Sequence, residues 1–190
     1  MGEEVKGMAK QYAQINDELS AFISQQKIFF VATAVADGNV NISPKGMDSF
    51  RIVDANRIIW LNLTGSGNET AAHLQTHPRM TIMFNAFEGA AMILRLYGEA
   101  KAVHKKDEAW DELYAMFDDI AGARQIFDMR VDLVQTSCGM AVPYFDYVKP
   151  RDELRVWAEK KGELGMKEYW LQKNQVSLDG IETGIVEKNG

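Results

Sequence analysis

The chain has 190 residues, of which 46% are apolar and 25% are charged, and its net charge at pH 7 is −6. This is the composition of a folded globular protein, and the length predicts one sizeable core with helical additions. The negative charge argues against non-specific binding to nucleic acid or to anionic membranes. Cys138 is the sole cysteine, so an internal disulfide is excluded. No membrane-spanning apolar run and no signal-peptide pattern occur, which predicts a cytoplasmic protein.

The first third of the chain is predicted to form a helix and two β-hairpins. Asn16 or Asp17 could cap the helix. Ser43–Gly46 is expected to end the second strand, because Pro44 cannot donate a hydrogen bond to a neighbouring strand. The predicted bounds are a helix within residues 1–26 and strands over 28–36, 39–43, 50–53 and 57–63.

A glycine-hinged loop and one short helix follow, before the strand predicted over residues 79–86. Gly65 and Gly67 let the backbone bend and bring bare N–H groups close to a partner. Asn68 is a good N-cap for the helix. Such a loop at a helix N-terminus is typical of an anion site, most often for phosphate, and the alternative is a capped surface loop. A Walker loop is excluded because its lysine is absent and Glu69 stands nearby.

The second half continues the antiparallel pattern and ends in helix. Gly98 inside a long strand indicates a bulge or a barrel corner. The tail after residue 173 has little periodicity and is expected to cross to a partner subunit or to stay loose. The predicted elements are strands over 90–104 and 129–135, helices over 106–117 and 122–127, an irregular stretch over 143–148, and a helix over 152–173 interrupted at Gly162 and Gly165.

Hairpin-joined strands with only one short helix between two of them exclude a Rossmann sheet, which needs βαβ crossovers. A small antiparallel barrel with peripheral helices fits this pattern better.

The order of these segments resembles the pyridoxamine 5′-phosphate oxidase-like family of FMN-binding split barrels, and within it a branch of flavoproteins. The likeness spans nearly the whole chain in one order. It is carried by FFVATA (29–34), NISPKG (41–46), LTGSGNETAAHL (63–74), FNAFEG (84–89), RLYGEA (95–100), GARQIF (122–127), QTSCGMAVPYF (135–145) and KNQVSLDGIETG (173–184).

This resemblance implies a mainly β fold, a six-stranded antiparallel split β-barrel with flanking helices. The barrel would occupy residues 1–150, and residues 151–190 would form a C-terminal helix and tail packed on the barrel or on the partner subunit. The resemblance also implies a homodimer with two FMN molecules in clefts between the subunits.

In such a dimer the glycine-hinged loop would hold the ribityl phosphate, and Ser43–Gly46 would lie along the isoalloxazine ring. Residues around Ser137–Pro143 of the other subunit would close the cleft. The cofactor-binding residues implied in this way are Ser43, Pro44, Lys45, Gly46, Asn62, Thr64, Ser66, Gly67, Asn68, Glu69, Thr70, Arg95, Ser137, Cys138 and Gly139.

One departure from the family pattern concerns the phosphate loop. Pyridoxamine-phosphate oxidases proper carry an adjacent Arg-Lys pair where this chain has Glu69 and Thr70. Phosphate binding would then rest on backbone N–H groups, on the side chains of Ser66, Asn68 and Thr70, and on the helix dipole. A cation should still balance the phosphate, and the candidates are Lys45, Arg51, Arg79 and Arg95.

A few single residues have both a possible chemical role and a simpler structural interpretation. Lys45 is either an exposed loop lysine or a contact to flavin N1/O2 or to phosphate. His73 and His77 have metal-ligand spacing, but no HExxH pattern or nearby cysteine supports a metal site. Cys138 is interpreted as a structural residue lining the cleft rather than a reactive thiol, and Trp60 as a core residue.

The resemblance thus favours an FMN-dependent oxidoreductase of unknown substrate, with a small-molecule electron donor such as NAD(P)H and no assigned acid or base side chain. Two alternatives stay open: a non-catalytic flavin carrier or sensor, and the same barrel binding the deazaflavin F420 or haem.

Overall fold

The computed structural model describes residues 9–189, which form one eight-stranded sheet with five helices around it. The strands are β1 (Lys10–Tyr12), β2 (Phe29–Thr33), β3 (Asn41–Lys45), β4 (Phe50–Asp54), β5 (Arg57–Leu63), β6 (Arg79–Asn85), β7 (Ile93–His104) and β8 (Ala123–Ser137). The helices are α1 (Asp17–Gln25), α2 (Glu69–Thr76), α3 (Trp110–Tyr114), α4 (Glu153–Lys173) and α5 (Ile185–Asn189).

Every strand pair in this sheet is antiparallel, in the order β3-β2-β6-β7-β8-β5-β4, with β1 added to β8. The sheet curls on itself. Phe29 of β2 and Phe50 of β4 come from opposite halves of the strand order, yet their ring centroids lie 5.2 Å apart. The predicted split barrel with flanking helices is therefore confirmed, with eight strands rather than six.

Aromatic side chains fill the barrel interior. Trp60 packs against Phe127 with ring centroids 4.7 Å apart, and Phe84 packs against both Phe29 and Phe50. Trp60 is buried, as predicted for a core residue. Burial of these large rings removes apolar area from water and supplies much of the barrel's stability.

The interpretation of residues 122–127 as a helix is wrong, because β8 begins at Ala123. This strand pairs with β5 on one side and with β7 on the other. Hydrogen bonds to both neighbours hold the segment as a strand, although its local sequence does not distinguish strand from helix. The predicted end of β3 before Pro44 is also wrong, since the strand continues to Lys45. β3 is an edge strand, where a proline is tolerated because one side of the strand has no neighbour to bond to.

Two helices predicted from the sequence are shorter in the structure. Asn16 caps α1, its Oδ1 accepting from Leu19 N at 2.9 Å, as expected. The predicted helix over residues 106–117 is shorter, since only Trp110–Tyr114 is α-helical. Residues 1–8, part of the predicted N-terminal helix, lie outside the described residues.

The C-terminal region doubles back and packs on its own chain. Gly162 has left-handed backbone (φ 64°) inside α4, whereas Gly165 does not interrupt the helix. The rings of Trp157 and Tyr169 therefore meet with centroids 5.0 Å apart, although a straight helix would separate them by roughly 18 Å. The alternative of a loose tail is wrong, because Leu178 N donates to the Glu69 carboxylate at 2.9 Å, and the crossing to a partner subunit stays a prediction.

No helix within residues 9–189 combines the length and the apolar character that crossing a membrane requires.

The predicted bulge at Gly98 is confirmed by a register shift between Tyr97 and Gly98 in the β7–β8 ladder. A Cβ at Gly98 would lie 1.9 Å from the carbonyl oxygen of Arg130, a contact that the backbone cannot relieve without moving. We expect Gly98→Ala to lower the free energy of unfolding by about 2–4 kcal/mol in denaturant titrations.

Gly165→Ala serves as the control for that substitution. Its Cβ would meet only the Lys161 side chain at 3.4 Å, so an unchanged or slightly raised stability is expected, by at most about 1 kcal/mol. Equal effects of the two substitutions would contradict the assigned close approach of β7 and β8.

Candidate functional site

Residues 64–68, here named the glycine loop, join β5 to α2 and are fixed at their start. Thr64 donates from both its N–H and its hydroxyl to the carbonyl of Gly122, at 2.8 Å each. Trp170 Nε1 donates to Thr64 Oγ1 at 2.9 Å. The Thr64 hydroxyl is thus used within the fold, while Ser66 and Gly67 at the loop tip are exposed.

The tip of the glycine loop presents amides that the surrounding fold does not use. The N–H groups of Ser66, Gly67 and Asn68 donate to no acceptor among residues 9–189. They precede the first turn of α2, whose N-terminus carries partial positive charge. This arrangement suits an anion at the loop tip.

Asn68 occupies the predicted N-cap position but makes no side-chain capping bond. Its side chain is 2% exposed, and neither Oδ1 nor Nδ2 has a hydrogen-bond partner among the described residues. A buried amide whose oxygen and nitrogen both lack a hydrogen bond lowers the stability of the folded state. A polar ligand atom next to Asn68 would remove that penalty.

Arg124 is the functional candidate that sequence reasoning missed. It lies at the start of β8 and is 3% exposed. Its Nη1 donates to Asn174 Oδ1 and its Nη2 to Gly67 O, both at 2.8 Å. When the Asn62 amide is oriented so that its oxygen and its nitrogen both form hydrogen bonds, Asn62 Oδ1 accepts from Arg124 Nε at 3.1 Å.

All of these acceptors are neutral, so the charge of Arg124 is not balanced by a neighbouring carboxylate within salt-bridge distance in residues 9–189. Burial lowers the pKa of Arg124 to about 9, which leaves it charged at neutral pH. A buried cation held only by neutral oxygens favours an anion nearby.

Lys45 adds a second cation to the same region. Its Nζ lies 5.0 Å from the centroid of the Trp60 ring. Burial, and then the charge of Arg124, lower the pKa of Lys45 to about 8. The two cations therefore repel each other, and an anion bound between or beside them would relieve that repulsion.

β3 presents one face to this region and the other to solvent. Asn41, Ser43 and Lys45 alternate along the half-buried face, and Asn41 Nδ2 donates to Thr70 Oγ1 of α2 at 3.2 Å. Pro44 lies on the opposite, exposed face. Gly46 follows the strand, and its carbonyl accepts from Ser49 Oγ at 2.7 Å.

The remaining site candidates form a second group. Arg95 Nη1 donates to Ser137 Oγ at 3.1 Å, Cys138 is exposed, and Gly139 has φ 64°. Arg95 pairs with residue 135 of β8, whereas Asn62 pairs with residue 125 of the same strand. Ten residues of strand span roughly 30 Å. Within one chain the predicted site residues therefore lie at the two ends of β8.

Of the four cations proposed from sequence, Lys45 is the one whose pKa the charge of Arg124 lowers. Arg51 pairs with Asp48 at 2.9 Å and also donates to a backbone carbonyl. Arg79 is exposed, opposite Glu99 in the β6–β7 ladder.

The histidine pair of α2 has structural contacts. His73 is buried, with Nδ1 3.1 Å from Thr33 Oγ1, and His77 is the C-cap residue of α2. Within residues 9–189 no group of three or more histidine, cysteine or acidic side chains is placed to hold a metal ion.

Comparison with known proteins connects this arrangement to a family. The family model described as pyridoxamine 5′-phosphate oxidase matches residues 15–138. The chain belongs to the pyridoxamine 5′-phosphate oxidase family. A relative in Aspergillus flavus, the pyridoxamine 5′-phosphate oxidase family protein ustO, is 32% identical over 190 residues, covering 90% of this chain and 76% of the relative.

Solved structures agree in fold. HupZ from Group A Streptococcus is 24% identical, with a TM-score of 0.51, covering 63% of this chain and 91% of that protein. At this level of identity the likeness concerns the fold. The pyridoxamine 5′-phosphate oxidase family match ends at residue 138, so α4 and α5 lie beyond it, although Trp170 and Asn174 contact the glycine loop.

Proposed function

We propose that this protein binds FMN and acts as an FMN-dependent oxidoreductase. One observation carries the proposal: open amides of the glycine loop and the unpartnered Asn68 side chain lie in the same region as two cations, Lys45 and Arg124, that lack carboxylate partners within residues 9–189. Hydrogen-bond donors and positive charge together are what a phosphate dianion requires.

In this proposal the loop amides and Asn68 Nδ2 donate to the phosphate, while Arg124 acts on it mainly through its charge. Glu69, at the first position of α2, opposes the anion. Its carboxylate accepts from Leu178 N and also stabilises the charged form of Arg124. In this proposal the buried arginine supplies the positive charge that the Arg-Lys pair would supply in pyridoxamine-phosphate oxidases proper.

The half-buried face of β3 is the proposed support for the flavin ring. Ser43 and Lys45 lie on that face, and Lys45 would place a positive charge near ring N1/O2 or near the phosphate. When bound, FMN would supply hydride or electron transfer at N5. The chain would orient the ring and exclude water on the side of Trp60.

We further propose that the site is completed by a second copy of this chain. The Arg95 group lies at the far end of β8 from the glycine loop, too distant to join it within one chain. Exposed apolar residues flank that group, including Tyr144 at 78% and Val148 at 86% exposure, and Ile42 on β3 is 62% exposed. A homodimer would cover such a surface. A cytoplasmic location stays a prediction from the sequence.

The first test is the identity of the cofactor in the protein as purified. We expect a yellow protein that releases FMN on denaturation, and whose absorbance near 450 nm, about the usual flavin maximum, bleaches when NADH or NADPH is added without oxygen. FMN release without bleaching by either donor would indicate a flavin carrier or another donor. A colourless protein that gains a Soret band with haem would overturn the proposal.

The lowered pKa of Lys45 predicts a pH dependence of FMN binding. Below about pH 8 Lys45 is charged, and it becomes neutral as the pH rises through its pKa in the free protein. The phosphate is already a dianion there, since its second pKa is about 6. Raising the pH from about 7 to 8.5 should therefore weaken FMN binding, by up to about fourfold.

Two variants isolate Lys45 in that titration. Lys45→Arg should make FMN affinity nearly independent of pH in this range, because arginine stays charged. Lys45→Met should also remove the pH dependence, but at a weaker affinity. A wild-type profile that both variants reproduce would show that Lys45 does not contact the cofactor.

Complementation between variants tests the composite site. Gly67→Val blocks backbone approach in the loop, and its Cβ would meet only the Glu69 side chain, at 3.1 Å. Arg95→Glu reverses a charge in the second group.

The homodimer of either variant should lose FMN. After the two variants are refolded together, half of the dimers would contain one chain of each kind and would carry one intact site. About a quarter of all sites should therefore bind FMN again. Light scattering that reports only monomers, or no recovery on mixing, would refute the shared site.

A further inference from the structure

Asn174, directly after α4, contacts the glycine loop on its carbonyl side. Its side chain is fully buried, and Nδ2 donates to Gly65 O at 3.1 Å and to Ser66 O at 3.4 Å. Its Oδ1 accepts from Arg124 Nη1, and Arg124 Nη2 donates to Gly67 O, at 2.8 Å each. Three successive loop carbonyls are thus directed at one asparagine–arginine pair.

The direction of these carbonyls fixes the direction of the loop amides. In a trans peptide the C=O of one residue and the N–H of the next point to opposite sides of the chain. Carbonyls 65, 66 and 67 face Asn174 and Arg124, so the N–H groups of Ser66, Gly67 and Asn68 face away from them. Those are the three amides without an acceptor in the described part of the chain.

Asn174 is itself held firmly from both sides. Its backbone N–H donates to Trp170 O at 3.0 Å, and its carbonyl accepts from Thr183 Oγ1 at 2.6 Å. Trp170 in turn donates to Thr64 at the start of the loop. The loop carbonyls are therefore tied to a rigid part of the C-terminal region.

We infer that Asn174 is a positioning residue: together with Arg124 it holds the loop carbonyls so that three consecutive amides are aimed at the cofactor phosphate. The inference rests on the proposed FMN function. Asn174 lies on the carbonyl side of the loop and does not touch the phosphate. Its effect is preorganisation, because the loop need not reorder when the anion binds.

Such a role makes a selective prediction. Riboflavin has the same ring system as FMN but no phosphate, so an amide cradle built for phosphate contributes to FMN binding and not to riboflavin binding. A residue that merely stabilises the barrel would affect both ligands alike.

The experiment compares dissociation constants for FMN and riboflavin, by quenching of flavin fluorescence, in wild-type protein stripped of flavin and in Asn174→Leu. This substitution keeps the branched shape of the side chain at a somewhat larger volume and removes both sets of hydrogen bonds. FMN binding should weaken about ten- to a hundredfold, while riboflavin binding changes less than about threefold. The FMN dissociation rate should rise in parallel.

Asn189→Leu is the matched control. Asn189 is another buried asparagine of the C-terminal region, and it donates to the backbone carbonyl of Arg124 without touching the loop carbonyls. It should lose comparable stability yet keep the wild-type ratio of FMN to riboflavin affinity. Asn174→Ala covers a failure of the leucine variant to fold, because it removes the same hydrogen bonds without added bulk and without a change of charge. The same selective loss of FMN is expected.

An unchanged FMN affinity in both Asn174 variants, or equal losses of FMN and riboflavin, would overturn the positioning role while leaving the FMN site in place. Wild-type protein that binds FMN no more tightly than riboflavin would instead refute the phosphate site, and the inference with it.

Discussion

A buried guanidinium that pairs with no carboxylate of residues 9–189 is the constraint around which this site is organised. Arg124 enters the protein interior at the start of β8 and is held by the oxygens of Asn62, Gly67 and Asn174. Neutral acceptors satisfy its hydrogen bonds without forming an ion pair with it. The same hydrogen bonds fix the glycine loop, so one side chain sets both the shape of the loop and the potential around it.

The barrel explains how distant segments reach this arginine. Pairing of β5 with β8 sets Asn62 beside the start of β8, and the curl of the sheet brings Lys45 of the edge strand β3 over the Trp60 ring. The long β7–β8 ladder then carries Arg95 and Ser137 to the opposite end. In the proposed homodimer, association of two subunits would bring these two groups of residues together.

Local signals in the sequence predicted the glycine loop, α2 and the hairpins well, because Gly65, Gly67 and Pro78 act on the backbone at their own positions. Arg124 was missed because residues 122–127 were interpreted as helix. The available signal was an arginine shortly before the apolar residues Ile126 and Phe127. Asn174 gave no signal at all, since its role depends on contacts more than a hundred positions away. The division of the site between two ends of β8 likewise depends on ladder register, which local patterns do not specify.

The bond between Trp170 and Thr64 joins residues 106 positions apart, and that between Asn174 and Gly65 joins residues 109 apart. A ribosome adds roughly 5–20 residues per second, so the barrel strands emerge seconds before these partners do. During synthesis the nascent barrel therefore carries a glycine loop whose carbonyls are not yet tethered. The loop can reach its final form only after residues 170–174 have been made, so the tethered loop is among the later parts of the fold to form.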